Sequence, residues 1–306
     1  MIKQQTMSAR AWIELCLLSL IWGASFLSIR IALDEIGPLT AVAHRTVWAM
    51  LVLWIVVYFK GFAVPRDPRV WFAFLIMGLL NNVIPFSLMA WGQLHIETGL
   101  ASILNAATAV FGVLAASMFF SDEKLTLRRG IGVTVGFFGV ATAIGLDAFL
   151  SFDLRSLGQL AVIGGTISYA LAGVWAKKRL VGLSPHVAAA GMLTGSSVII
   201  LPLALIYEGP IRFDLQPVTW AAIGYYALIA TALAYLLYYR VLKMAGAGNL
   251  MLCTLLVAPV AIILGAIVLG EELPIRSYFG FAILAAGLII LDGRLLQRRK
   301  DRTSCP

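Results

Sequence analysis

Ten apolar runs of about 17 to 23 residues follow one another along the chain, near residues 11–30, 39–59, 70–92, 98–120, 130–147, 157–176, 185–206, 217–239, 247–269 and 277–293. About 20 residues at a rise of 1.5 Å cross the roughly 30 Å of a bilayer core, so each run is long enough to span one. Lipid offers no partner to a bare amide or carbonyl, so a spanning segment has to satisfy its own backbone. Barrel strands would instead appear as alternating segments of about ten residues. The predicted fold class is all-α integral membrane, with ten transmembrane helices and loops too short for a soluble domain. Composition agrees: 61% hydrophobic and 12% charged residues leave too little polar surface for water. The first run has a charged flank but is long enough to span, and no small-residue cleavage site sets it off. It is expected to remain as the first helix.

The net charge of +8 is distributed by side rather than by patch. Assigned to alternate sides of ten helices, 18 of the 23 Lys and Arg residues fall on the side of both termini, four fall on the other, and Arg45 lies within a span. This asymmetry is the positive-inside pattern, and it predicts cytoplasmic N and C termini. The basic tail RLLQRRKDR reads as a topology anchor on an anionic leaflet, not as a nucleic-acid site. Cys16, Cys253 and Cys305 have neither metal nor redox spacing, and no metal or cofactor is expected.

The chain also repeats itself. FFSDEKLTLRRGIGVTVGFFG, from Phe119, and VLGEELPIRSYFGFAILAAG, from Val268, align with Glu123 on Glu271, Leu125 on Leu273, Arg128 on Arg276, Gly132 on Gly280 and Gly139 on Gly287, each pair 148 residues apart. Nearby offsets relate Leu94 to Leu242, Pro38 to Pro185 and Trp71 to Trp220. Two units follow, residues 1–150 and 151–306, each of five helices. Five is odd, so the units must enter the membrane in opposite directions. The first copy is accordingly basic (Lys124, Arg128, Arg129), while the second keeps only Arg276. Inverted repeats are a recurrent transporter architecture, with the substrate near the midplane between them. Gly132, Gly136 and Gly139 predict close helix packing; a homodimer is compatible with that face but not required by it.

These paired passages, the stretches NAATAVFGVLAA and LLVAPVAIILGA before them, and LIWGASFLSIRIAL in the first helix resemble the drug/metabolite transporter superfamily, specifically its EamA-type ten-helix members. In size and layout the chain is similar to the YddG aromatic amino-acid exporters. The resemblance implies an inner-membrane exporter or facilitator of small metabolites, amino acids first and aromatic ones among them.

Polar and aromatic residues within spans are the candidates for substrate contact, because polar groups facing lipid are costly. Asn81 and Asn82 are adjacent amides in the third run, followed by Pro85, which is expected to kink it and free a carbonyl. Asn105, Thr108 and Phe111 recur at spacings that share one face of the fourth. Trp22 and Ser25 in the first run, with Ser28, answer Ser168, Tyr169 and Trp175 in the sixth; aromatics in repeat-related helices are read as walls of one pocket. Tyr235, near the repeat position of Phe86, completes the set, while Tyr238 and Tyr239 read as belt residues. Glu14, His44 and Arg45 are the ionisable candidates for coupling. Glu14 lies within reach of Arg10 and the interface. Arg45 is read as snorkelling or capping a neighbour's carbonyls, or else attracting a carboxylate. His44, His95 and His186 are each placed near an outer helix end. No acidic residue lies at mid-span, which argues against a central-carboxylate proton antiporter.

The alternative within transport is efflux of hydrophobic or aromatic cations, which would rely on cation–π contacts with Trp22 or Trp175. An integral-membrane enzyme is not expected, since no nucleophile–base cluster or metal spacing is evident. A non-transporting scaffold would have no use for inverted symmetry.

Overall fold

The computed structural model describes residues 8–121, 125–145, 153–238, 240, 241, 244 and 252–292. Glu123, Lys124, Tyr239, Leu242, Cys305 and the basic tail lie outside the described residues. Among the described residues the chain is entirely helical and turn, with no strand. The helices are α1 (Ala9–Ala32), α2 (Pro38–Phe59), α3 (Pro68–Gly92), α4 (Thr98–Phe119), α5 (Leu127–Ile144), α6 (Leu154–Arg179), α7 (Pro185–Tyr207), α8 (Pro217–Tyr238), α9 (Leu252–Leu269) and α10 (Ile275–Asp292). The first eight are long and apolar enough to cross a membrane. The last two carry shorter apolar stretches, Leu256–Leu269 and Ile275–Ile290.

Local chemistry starts these helices where expected. Pro38, Pro68, Pro185 and Pro217 open α2, α3, α7 and α8, a position where a missing N–H costs nothing. Ser8 and Asp153 cap α1 and α6 by accepting from the amides of Ala11 and Ser156. The Ser156 amide and hydroxyl hold the Asp153 carboxyl below the usual carboxylate range.

The packing has a regular plan. α5 lies against α10 and α2 against α7. α1 packs on α8 and α9, α6 packs on α3 and α4, and further extensive contacts join α3 to α7, α2 to α8 and α4 to α9. Exchanging every helix for the one five places along maps this set of extensive contacts onto itself, while the smaller contacts of α2 with α3, and of α4 with α1, α5 and α10, have no counterpart of that size among the described residues. The α5–α10 crossing is made close by glycine. A Cβ on Gly139 would strike the backbone of Gly280 and Leu284, and one on Gly287 would strike that of Gly132 and Gly136. Without those Cβ atoms the two backbones touch directly.

Five of the helix connections gather at one end of the bundle, where carboxylates bind them together. Glu208, after α7, accepts from the amides of Leu39 and Thr40 at the start of α2, both at 2.8 Å. Glu271, after α9, accepts from Thr98 and Gly99 at the start of α4 at 2.9 and 3.3 Å. Glu35, after α1, accepts from the Gln216 amide and the Thr219 hydroxyl at the start of α8. Arg155 on α6 grips Glu97 through two bonds of 2.9 Å. The first amides of a helix have no partner of their own and carry the positive end of its dipole. Glu208 and Glu271 therefore each satisfy two orphan donors and Glu35 satisfies one, through charge-assisted bonds that are stronger than neutral ones of the same geometry. Gly37 leaves the space that the Glu208 carboxylate fills.

The opposite end is held differently. There Arg240 and Arg10 both reach Glu14 Oε1, at 2.6 and 3.1 Å. Phe62 stacks on His186, and Lys177 and Lys178 lie over the Phe120 ring.

Candidate substrate site

Two helices leave the regular α ladder near mid-length. In α3, Pro85 cannot donate to the carbonyl four residues back, and the turn before it, Leu79–Val83, widens to a π-helical turn. In α8 the residues Tyr225–Leu233 do the same. Such turns release carbonyls from the ladder, and neighbouring side chains take them up. Ser168 Oγ on α6 donates to Leu80 O at 2.7 Å. Trp22 Nε1 on α1 donates to Ala230 O at 3.1 Å. Thr231 Oγ1 donates to Tyr226 O, five residues back, at 2.7 Å.

Between these widened turns α2 inserts Arg45. It is the eighth residue of its helix, about 10 Å from the end, and only 8% exposed. Its Nε donates to Thr231 Oγ1 at 2.9 Å, and its guanidinium carbon lies 4.0 Å from the centroid of the Phe86 ring. Phe86 in turn meets Tyr169 edge to face at 6.3 Å. Tyr169, Tyr226 and Tyr235 are all within electrostatic reach of the guanidinium. Asn81 Nδ2 donates to the Tyr235 hydroxyl at 3.3 Å and to Asn82 Oδ1 at 3.2 Å, and Asn82 Nδ2 donates to Ser196 Oγ at 2.7 Å. Arg45, Phe86, Asn81, Tyr169 and Tyr235, drawn from α2, α3, α6 and α8, thus form one cluster. No carboxylate among the described residues pairs with Arg45.

A groove of about 210 Å³ leads toward this cluster between α4 and α6. Phe120 and Lys177 stand at the basic end of the groove; Thr108 and Tyr169 also line it. Tyr169 is eight residues from Lys177, which is about 12 Å along a helix.

The other sequence candidates take varied places. Asn82 is fully buried as interhelical glue to α7. Ser25 spends its hydroxyl hydrogen on Trp22 O of its own helix, and Ser168 spends its own on Leu80 O. Trp22 packs against Tyr238 with ring centres 5.9 Å apart. Trp175 is not brought to the cluster: its indole donates to Ala73 O and Arg179 lies over it near the basic end. The face shared by Asn105, Thr108 and Phe111 is interrupted, because α4 breaks at Ala106 and Ala107. There Thr108 Oγ1 bonds to Asn105 O, Phe111 turns to Phe137 on α5, and only Thr108 reaches the groove.

Two expectations change, those for Arg45 and His186. Arg45 neither snorkels nor caps a carbonyl, because it is folded inward onto Thr231 and Phe86. His186 is at the opposite end of the bundle from His44: it stacks on Phe62 beyond the last turn of α2, whereas His44 is near the first turn, edge-on to Trp220 and Phe213. His44 Nδ1 accepts from Trp48 Nε1, so its ring is fixed in an aromatic nest rather than facing Arg45's cluster. Glu14 is engaged by two arginines at the basic end. Thr231, Tyr226 and Ser196 were not anticipated. A signal for Thr231 existed, since at the offset of 148 it answers Val83, beside Asn82.

Comparison with known proteins gives this arrangement a context. The model of the EamA-like transporter family matches twice, over residues 10–145 and 156–291. A probable terminal-alkyne amino-acid exporter of Streptantibioticus cattleyicolor is 28% identical, covering 97% of this chain and 98% of that protein. A probable amino-acid metabolite efflux pump of Salmonella typhimurium is 27% identical, over 94% and 96%. The transporter YoaV of Bacillus subtilis is 22% identical, over 92% and 96%. A solved crystal structure superposes with a TM-score of 0.67 at 16% identity, covering 94% of this chain and 99% of the other, and so shares the fold.

Proposed function

The chain belongs to the EamA-like transporter family, and we propose that it exports small amino-acid-type metabolites, aromatic ones among them, by alternating access. It is an integral membrane protein and a transporter rather than an enzyme. The proposed machinery is ten spans arranged as two inverted five-helix repeats, residues 1–150 and 151–306, with both termini cytoplasmic in a prokaryotic inner membrane. The double family match and the five-place symmetry of the contacts support that arrangement.

The observation that carries the substrate reading is the cluster itself. Rings from Phe86, Tyr169 and Tyr235 stand beside hydrogen-bonding groups and a buried cation, at the head of a groove that starts at the basic end. Rings stack on an aromatic or apolar side chain, and the polar groups orient the rest of a small molecule. The groove at the basic end and the carboxylate ties at the other support loading from the basic side. Cation efflux is the weaker reading, because Arg45 would repel a cationic substrate at the same place.

The test is flux through the purified protein in liposomes with a panel of radiolabelled amino acids. Saturable movement of at least one aromatic amino acid is expected; absence of any amino-acid flux would sink the reading.

A further inference from the structure

We propose that Arg45 is the recognition residue for a carboxylate, and that this site selects small carboxylates by that group rather than by an α-amino group. The proposal rests on the cluster being the substrate site and names what the cluster reads.

An arginine is charged at any physiological pH and offers five N–H donors in a planar fork. Here one donor is used, on Thr231 Oγ1, whose own hydrogen is committed to Tyr226 O. Phe86 covers one face of the guanidinium. No carboxylate among the described residues balances the charge, although the side chain is more than nine-tenths buried within a span. A buried, uncompensated cation costs several kcal/mol, and intramembrane charges are ordinarily paired. The group that completes this site is a planar oxyanion able to take two parallel N–H bonds, and a carboxylate fits that fork. The ring walls of Phe86 and Tyr169 leave an apolar or aromatic substituent beside it.

Among the described residues no carboxylate stands ready for an ammonium at the cluster. Glu14 is at the basic end and already holds Arg10 and Arg240. Glu35, Glu97, Glu208 and Glu271 are engaged at the other end. An ammonium at the cluster meets only hydroxyl and amide oxygens and ring faces, which also suit a neutral group. A carboxylic acid lacking the amine should therefore bind nearly as well as the amino acid, and an amine lacking the carboxylate should not.

The experiment measures binding to the purified full-length protein, by intrinsic tryptophan fluorescence, and flux in liposomes, for L-phenylalanine, 3-phenylpropionate, phenylalaninamide and phenethylamine. Expected is binding of the two carboxylates within about threefold of each other, with the amide and the amine weaker by at least about tenfold, as loss of a charge-assisted bidentate pair implies. Arg45→Gln should bring the carboxylates down to the level of the amide, while Arg45→Lys, which keeps charge without the fork, falls between. The wild-type ligand series decides the matter even if a variant fails to fold. Equal binding of the amine and the carboxylates, no binding of any carboxylate, or full carboxylate affinity in folded Arg45→Gln would each overturn the proposal. Movement of 3-phenylpropionate without any amino acid would end the amino-acid reading and uphold this one; amino-acid flux indifferent to Arg45→Gln would do the reverse.

Discussion

The two ends of the bundle are built from different chemistry. At one, carboxylates from four helix connections reach across to the amide-rich starts of helices far away in sequence or, in the case of Glu97, to an arginine. At the other, cations lie over rings, Phe62 stacks on His186, and one glutamate is shared by two arginines. Most of the first set end on backbone amides, at 2.8–3.3 Å, whereas the arginines around Glu14 are more than half exposed. Partly solvated ion pairs are worth less than about 1 kcal/mol. The lesson is mechanical. The expectation is that a bundle tied this way opens more readily at its basic end, which is also where the groove begins.

The largest effect that could break this comparison is all or none. Epitope tags inserted at residues 122–124 and at 270–272 should be reached by impermeant antibody from opposite faces of the membrane, the first only after permeabilisation. Labelling from one face would remove the inverted arrangement on which the two ends depend. Next in size is the double substitution Glu208→Ala and Glu271→Ala. It removes four amide-to-carboxylate bonds, and a cysteine placed at Phe86, in a chain whose own cysteines are replaced, should react with an external impermeant maleimide about tenfold faster or more. An unchanged rate would mean that these bonds do not hold the end closed. Smallest is Glu14→Gln at the basic end. A melting shift of only a few degrees and less than about a threefold change in flux are expected; flux that loses a pH dependence present in the wild type would instead return Glu14 to a coupling role.

Much of this architecture is legible in the sequence. Apolar run length is a one-dimensional signal of a slab-like solvent, so helix positions are legible in it. The glycines of the repeated passage likewise announced a close crossing, since small residues at helical spacing have few other uses in lipid. Depth and direction were harder. Arg45 was placed in the correct helix, but a distance from the helix end does not say which way the side chain turns, and Thr231 and Phe86 are 186 and 41 residues away. Ser25 and Ser168 read as candidates for substrate contact because their acceptors are backbone carbonyls, which no sequence displays. Trp175 answers Ser28 by offset, although in an inverted arrangement a residue near one end of the bundle maps to the other end. The carboxylate ties were invisible for a related reason: Glu208 is about 170 residues from the amides it caps.

The widened turns of α3 and α8 have a consequence for how such a chain can change. A π-helical turn is an α-helical one holding an extra residue. Five residues of the wider turn sweep about the same angle around the axis as four of a regular one, so the extra residue leaves the heading of everything beyond it unchanged. Phe86 would therefore still face Arg45 in a chain that had shed that residue. What would change is the backbone, since the Leu80 carbonyl held by Ser168 belongs to the widened turn. The insertion serves the joint between α3 and α6, and it can be gained or lost without rebuilding the wall of the site.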